Sequence, residues 1–443
     1  MGIHVRTDRS NLVQGFLTNV ATLSAASFAS GLLNLVQAMF LARWLGPENF
    51  GLLALIISVP QFVFNLFDAR TASAVIKYIG EFHARGDSAR AVMMCQLGFL
   101  IDLGISLLTV TLVIILAPWA SATIVGRPDF LGLMILYALA MIPRALRGTS
   151  HAVMVTLSKF ALSARLEVSL AGLRTVLVLV AVLIGYGVAA VIVIQAIGLA
   201  LTGILYAFLA KRLIQERWGS IWKPFRRRML SERLGEIFRF LGFSEWSAFM
   251  GMISGQLDLL LLGYFHGATQ VGHYRVAKSL AASLSYLVKP LQQVTYPELV
   301  NLFSREGMER SWLRSRRLAT SLGFPLGLAA LAGVLLLPWV LPLLVGSDYL
   351  SAVPSAQIMV GGASIWLFLF WLRPLYYSSG RIKSWTLIGT MALVVSLPLL
   401  IVLLPAWGSL GAATWFAVMN LSAGIGSLLM LLFERRQAAA PVG

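Results

Sequence analysis

Residues 41–51, LARWLGPENFG, and residues 262–272, LGYFHGATQVG, are two readings of one pattern. In each, an apolar run reaches a glycine, passes a short turn and meets a second glycine five residues on. Gly46 and Gly51 therefore stand against Gly267 and Gly272 at an offset near 221, half the chain. Gly86 stands against Gly307 in the same way. Pro118-Trp119 followed by Val125-Gly126 matches Pro338-Trp339 followed by Val345-Gly346, and Ala189-Ala190 matches Ala412-Ala413. Each identity is weak alone, but their shared order points to a duplicated unit.

The composition says what kind of unit is duplicated. The 443 residues are 58% hydrophobic and 12% charged, with a mean hydropathy of +0.82. Soluble domains carry about a quarter charged residues, and one soluble core of this length cannot hide so much apolar surface. An ordinary cytosolic enzyme, a disordered chain and a secreted disulfide scaffold are excluded. The single cysteine, Cys95, lies in an apolar run and reads as a small core residue. The first apolar stretch runs past Gln37 with no small-residue cleavage site, so it reads as a retained span rather than a signal peptide.

A crossing helix needs about 20 mostly apolar residues. By that measure there are about twelve candidates, at 14–42, 50–68, 91–117, 129–148, 166–186, 188–210, 237–263, 271–297, 318–345, 354–378, 385–404 and 410–433. Gly185-Tyr186-Gly187 and Trp407-Gly408 mark tight turns between spans. Long continuous runs exclude a β-barrel, whose strands alternate. The expected fold is an all-α polytopic membrane protein of two six-helix bundles. Six crossings are an even number, so both halves insert the same way round and form a parallel repeat. The expected division is an N-terminal lobe at 1–212, a basic linker at 213–236 and a C-terminal lobe at 237–443.

The net charge of +17 comes from 35 Lys and Arg against 18 Asp and Glu. With a cytoplasmic N-terminus, 29 of the 35 fall at the termini or on even-numbered connections. The positive-inside rule then predicts both ends on the cytoplasmic side of the inner membrane. The run WKPFRRRML at 222–230 reads as a topology signal rather than a nucleic-acid patch, and no nucleic-acid partner is expected.

Polar residues inside the spans keep to single faces. Span 7 has Ser244, Ser247, Gly251, Ser254 and Asp258 at helical spacing, and span 1 has Ser30, Asn34 and Gln37. Span 2 gives Ser58, Gln61, Asn65 and Asp68; its repeat mate, span 8, gives Ser279, Ala282, Tyr286 and Lys289. Such residues also make helix-packing faces. An ionisable group in a span costs roughly 2.5–3.5 kcal/mol on insertion scales, so Asp68, Asp258 and Lys289 point to a wet cavity or a partner. Arg275, Lys278 and Lys289 fall in one stripe roughly 80° wide and about 20 Å long. The stripe suits a track for an anion, with Arg174 of span 5 as an addition; the bland alternative is snorkelling to the interface. Asp102 in span 3 reads as a satisfied polar residue. His4, His83, His151, His266 and His273 lack ligand spacing, so no metal site is expected. A phosphate-binding glycine loop ending in Lys-Ser/Thr is missing too.

The stretches FLARWLGPENFGLLALI (40–56), NLFDARTASAVIKYIGEFHARGD (65–87), SGQLDLLLLGYFHGATQVGHYRVAKSL (254–280) and YPELVNLF (296–303) resemble the polysaccharide flippase family, which carries O-antigen, exopolysaccharide and related lipid-linked oligosaccharides. That family belongs to a superfamily with the multidrug and toxin extruders and the lipid II flippase. The resemblance implies two six-helix lobes forming a V around a cationic cavity, and alternating access driven by an ion gradient or the membrane potential. Asp68 and Asp258 match acidic positions common in the family's second and seventh helices, which implies coupling to H+ or Na+ and no other cofactor. One departure stands out: Ala69-Arg70-Thr71 replaces the small residue and Gly-Leu expected after the first Asp, and Arg70 can neutralise Asp68.

The expected cargo is an oligosaccharide joined through pyrophosphate to a polyprenol. Lys289, Lys278 and Arg275, with Arg174, would hold the pyrophosphate. Ser30, Asn34, Gln37, Gln61, Asn65, Ser254 and Tyr286 would line the path, and Asp258 and Asp68 would couple an ion. Membrane lipids, a polysaccharide polymerase and chain-length machinery are the expected partners. A drug or small-molecule exporter, a membrane-embedded glycan polymerase or ligase, and a structural scaffold are the alternatives.

Overall fold

A computed structural model describes residues 4–67, 71–221, 235–236 and 253–439. Its helices are α1 (His4–Leu66), α2 (Thr71–Ala84), α3 (Ser88–Thr123), α4 (Leu131–Ala145), α5 (Arg147–Thr156), α6 (Phe160–Leu183), α7 (Val188–Arg217), α8 (Asp258–Leu318), α9 (Phe324–Val345), α10 (Val353–Phe368), α11 (Leu372–Ser378), α12 (Ile382–Trp407) and α13 (Ser409–Ala439). There is no strand among the described residues. The all-α polytopic reading holds.

Nine segments among the described residues are long and apolar enough to cross a membrane. Two of them hold more than one crossing. Ser27–Leu66, at 40 residues, is broken at Gly46, and Gly255–Val345, at 91, is broken at Gly267 and Gly307. Those breaks are the duplicated glycines. Gly46 (φ 73°) and Gly267 (φ 76°) share a left-handed backbone, as do Gly86 and Gly307 (both φ 73°) and Gly126 (φ 70°) and Gly346 (φ 99°). A Cβ opposes this conformation, so the sequence match is also a match of backbone geometry.

The chain forms two compact units. The first comprises Met1–Ala26 and Leu52–Leu260, the second Ser27–Gly51 and Leu261–Gly443. By packing, the stretch 27–51 groups with the C-terminal half, and residues 253–260 with the N-terminal half.

In the first unit, Val75, Tyr78, Ile79 and Phe82 of α2 pack on Met94 and Cys95 of α3, Val153 of α5 and Ile214 of α7. Gly203 lets α7 reach the α4 backbone, where a Cβ would stand 1.8 Å from the Pro143 carbonyl oxygen. Lys77 pairs with Glu236 at 3.1 Å, and that carboxylate holds the ammonium above the usual lysine range. The pair is exposed and so contributes little to stability.

In the second unit, Trp312, Leu367, Phe370, Trp371, Leu375, Tyr376 and Leu431 form the core. Here the two turns of the repeat meet. A Cβ on Gly51 would lie 1.8 Å from the Ala268 carbonyl oxygen, and one on Gly272 would lie 2.0 Å from that of Pro47. Pro47 and Ala268 are themselves 221 apart, so each turn seats on the other's glycine.

The outer surface is apolar: Val395 is 78% exposed, Leu343 74% and Ile184 68%. A soluble protein would hide such a surface, and hydrocarbon covers it here. Among the described residues the exposed tryptophans, Trp119 in the first unit and Trp44, Trp339 and Trp407 in the second, sit beside connections of odd rank. Aromatic rings favour the membrane interface, while most of the basic residues lie on connections of even rank.

Candidate functional site

A cation-lined cavity lies within the second unit. Lys289, Gln292, Gln293 and Tyr296 recur on α8 at intervals of three, one and three, which is one helix face. Opposite are Arg373, Pro374 and Tyr377 of α11. Together these seven residues line a cavity of about 320 Å3. Both cations precede a proline, Pro290 and Pro374. The other side of α11 is anchored: Leu372, Leu375 and Tyr376 are buried, the Tyr376 hydroxyl donates to the Ser427 carbonyl at 2.7 Å, and Trp371 stands edge-on to Trp312 at 5.6 Å. That anchoring leaves Arg373 and Tyr377 at the cavity.

The rings of Tyr296 and Tyr377 are nearly perpendicular, at 87°, with centroids 6.4 Å apart. The Arg373 guanidinium lies 5.3 Å from the centre of the Tyr377 ring, a cation–π contact. None of the seven lining residues is acidic. Two cations, two amides and an aromatic corner can hold an anion next to a group with an apolar face and a hydrogen-bonding rim.

Of the predicted track, only Lys289 lines this cavity. Lys278 lies 5.6 Å from the centre of the Tyr274 ring, and the Arg275 carbonyl accepts the Ser279 hydroxyl at 2.9 Å. Both are partly buried, on α8 about 16 Å or more along the axis from Lys289 by the helical rise. The Tyr286 ring covers Gly31, whose Cβ would stand 2.7 Å from it. Ser30 and Gln37 are buried on the same stretch of α1, and Asn34 is exposed. Arg174 belongs to the first unit, whereas Arg275, Lys278 and Lys289 belong to the second.

In the first unit, Gln61 donates to the Tyr137 hydroxyl at 2.8 Å and accepts from Gln256 at 3.3 Å. Asn65 follows on the same helix, partly buried. Arg174 lays its stem over Gly198, within electrostatic range of Tyr137, Arg144 and Arg147. Asp258 is fully buried just after a π-helical turn at Ile253–Leu257, and its carboxylate accepts the Leu259 N–H at 2.8 Å. Such turns often mark functional positions in helices. Asp68 and Arg70 lie outside the described residues, as do Ser244, Ser247, Gly251 and the side chain of Ser254.

A second cavity, of about 310 Å3, is lined by Thr71, Ala72, Ser73, Asp102, Arg144, Arg147 and His151, among others. Thr71 and Ala72 correspond to Gln292 and Gln293 at the repeat offset, so the two cavities share these two positions of the repeat. Their chemistry differs. Asp102 accepts from the Thr71 hydroxyl, from the Thr149 N–H at 3.1 Å and from the Thr149 hydroxyl at 2.7 Å. It is a satisfied buried carboxylate, as expected. Arg147 pairs with Glu167 at 3.4 Å. Charges here are balanced, whereas the cavity of the second unit is cationic.

Arg373, Gln292, Gln293, Tyr296 and Tyr377 were not among the predicted site residues. The signal was present: the polar stripe of span 8 continues past Lys289, and Arg373 interrupts the apolar run FLFWLRPLYY at 368–377.

These features define a multi-pass α-helical membrane protein built from a duplicated half. The chain belongs to a family of polysaccharide biosynthesis proteins, whose model matches residues 40–354. Its fold is shared by solved membrane transporters. The lipid II flippase MurJ in an inward closed conformation is similar with a TM-score of 0.71 and 14% identity, over 93% of this chain and 87% of that one. An inward-facing multidrug resistance MATE family transporter of the MOP superfamily gives 0.71 and 13%, over 93% and 96%. The Vibrio cholerae MATE transporter VcmN gives 0.65 and 15%, over 97% and 98%. No curated protein sequence matches the chain.

Proposed function

We propose that the chain is a flippase that carries an oligosaccharide, joined through pyrophosphate to a polyprenol, across the cytoplasmic membrane. Membership of a polysaccharide biosynthesis family supports the substrate class, and the shared transporter fold supports the type of activity. The observation that carries the reading is the cavity with Lys289 and Arg373 and no acidic lining residue. A glycan headgroup cannot enter hydrocarbon unaided, because its hydroxyls and charges would lose their hydrogen bonds. The cavity supplies replacements.

In this mechanism Lys289 and Arg373 take the pyrophosphate, and Lys278 and Arg275 are later stations along α8. Arg174 serves the first unit. Polar side chains on spans 1, 2, 7 and 8 meet the sugars while the lipid tail stays in the bilayer. Alternating access then exposes the headgroup to the far side. Each negative charge moved outward gains about 2.3 kcal/mol per 100 mV of inside-negative potential, and H+ or Na+ exchange through Asp258 or Asp68 is an additional drive. The termini lie in the cytoplasm, and a polymerase with its chain-length machinery receives the product.

The test is surface glycan measured at matched protein levels. A charge-assisted hydrogen bond contributes about 1.5–3 kcal/mol, so Lys289→Ala with Arg373→Ala is expected to cut export about tenfold or more. Lys278→Ala alone is expected to do less. Full export in the double variant rejects the cavity as the anion site. The MATE likeness favours one competitor, a small-molecule exporter, and normal surface glycan in cells lacking the protein would select it.

A further inference from the structure

We propose that one corner of the first unit, where α5 turns into α6 beside the end of α7, is a binding site for a phosphoethanolamine group, a phosphate ester with a primary ammonium on a two-carbon arm. The corner holds a cavity of about 360 Å3, lined by His83 of α2, by Thr156, Ser158 and Lys159 at the turn, and by Glu216 and Arg217 of α7. Its charges are of both signs, yet they do not cancel one another. Among the described residues Lys159, Glu216 and Arg217 make no ion pair, whereas other acids on connections of even rank are neutralised, Glu81 by Arg85 and Glu434 by Arg381. The duplication supplies a comparison. Lys159 and Arg381 are the residues just before α6 and α12. Both turns close with the same backbone bond, from the Lys159 N–H to the Met154 carbonyl at 2.8 Å and from the Arg381 N–H to the Tyr376 carbonyl at 2.9 Å. In the second unit the Arg381 guanidinium meets Glu434 of α13 at 2.6 Å, and the Ser384 hydroxyl donates to the same carboxylate at 3.0 Å. In the first unit the cation before α6 and the acid of α7 line a cavity instead. The corner that one half closes with an ion pair, the other leaves open to a ligand carrying both charges.

Each lining group has a counterpart in such a ligand. Lys159 and Arg217 take the phosphate. His83 adds a directed donor: its Nδ1 accepts the Trp218 indole N–H at 3.2 Å, so the neutral ring carries its proton on Nε2. Trp218 is buried and meets the imidazole at 73°, which fixes the ring. Glu216 takes the ammonium. The Thr156 hydroxyl donates to the Ala152 carbonyl at 2.9 Å and keeps its lone pairs for one of the ammonium N–H groups. A bare phosphate would meet the unneutralised Glu216 carboxylate. A quaternary ammonium has no N–H to give and is recognised by aromatic faces, and no Phe, Tyr or Trp lines this cavity. Ser158 is the one non-glycine residue with a left-handed backbone among the described residues, at φ 58°, where the second unit has Gly380 at φ 74°. A Cβ opposes that conformation, so the serine is strained where a glycine would not be, and it brings a hydroxyl to the cavity. The volume is at the small end of ligand cavities, the scale of a headgroup. A bilayer phospholipid and soluble phosphoethanolamine both present this group. The site is separate from the cavity assigned to the cargo and does not rest on the flippase reading.

The probes are phosphatidylethanolamine, phosphatidylglycerol and phosphatidylcholine with the same acyl chains, titrated onto the purified full-length protein in detergent and read by native mass spectrometry. Phosphatidylethanolamine should bind about tenfold more tightly than either of the others. Glu216→Gln should bring its advantage over phosphatidylglycerol from about ten to about one, whereas Glu216→Asp, which keeps the charge, should preserve most of it. Lys159→Gln with Arg217→Gln should weaken phosphatidylethanolamine about tenfold. All of these side chains are exposed, so the variants should fold, and an unchanged melting temperature checks that they do. Equal affinity for the three lipids in the unaltered protein overturns the site, as does an unchanged preference in Glu216→Gln. Soluble phosphoethanolamine, added as competitor, identifies the source. Displacement at the lipid's own affinity assigns the site to the soluble compound, and displacement only at about tenfold higher concentration or more assigns it to the bilayer. No displacement at any concentration overturns the headgroup as the feature recognised.

Discussion

Asp102 ties three helices through one carboxylate, reaching Thr71 at the start of α2 and Thr149 in α5 from its own place in α3. Asp102→Ala leaves two hydroxyls and an N–H without that acceptor in a buried site. The expected cost is about 2–4 kcal/mol, read as a lower unfolding temperature in detergent, with a smaller loss for Asp102→Asn. Equal melting of the alanine variant and the parent would contradict the tie. Residues of this kind were legible in the sequence, because an acid in an apolar run must find donors. Arg373 was not. It sits near the end of a span, where a cation also serves topology, and only the fold shows that α11 turns it towards α8. Lys289 was legible as costly in a span, but the partners that make it a site lie on α11, more than 80 residues on.

At the scale of elements, the reciprocal seating of the two turns makes an unusual prediction about additivity. Gly51→Ala and Gly272→Ala each force a Cβ onto a backbone carbonyl, which no side-chain rotation can relieve. Overpacking of this sort costs about 1–3 kcal/mol. The double variant should cost clearly less than the sum, because the shift that frees one glycine frees its mate. Gly80→Ala is the control: nothing lies within 4 Å of its Cβ position, and it should be neutral or stabilise α2 by about 1 kcal/mol. Simple addition of the two losses would show that the contacts are independent. The duplicated glycines were readable from sequence because a left-handed residue needs glycine. The membership of the compact units was not. Which helices pack together is decided by close approach between surfaces far apart in the chain, and an apolar run looks the same whichever neighbour it meets.

For the whole molecule, the separation of basic connections from those flanked by exposed tryptophans gives an orientation that labelling can check. Cys95 is the sole cysteine and is buried, so Cys95→Ala supplies a thiol-free background. In it, Ser88→Cys and Ser304→Cys should react with a membrane-impermeant maleimide only after the cells are opened. Thr123→Cys and Ser347→Cys should react in intact cells. The reverse pattern would invert the proposed topology, and a mixed one would break the even count of crossings in each half.

The stretch Ser27–Gly51 emerges early in synthesis, yet the unit it packs in resumes only at Leu261. At about 5–20 residues per second, some 10–40 s of translation separate it from its partners. During that interval the buried positions of Ser30 and Gln37, and the seat of Gly51 on Ala268, have no occupant from their own unit. This helix must therefore be inserted and kept waiting, and the nascent chain passes through a stage in which Ser27–Gly51 belongs to nothing yet made. A ribosome stalled soon after Arg217, the end of α7, would release a product with that segment still unmatched and open to quality-control proteolysis.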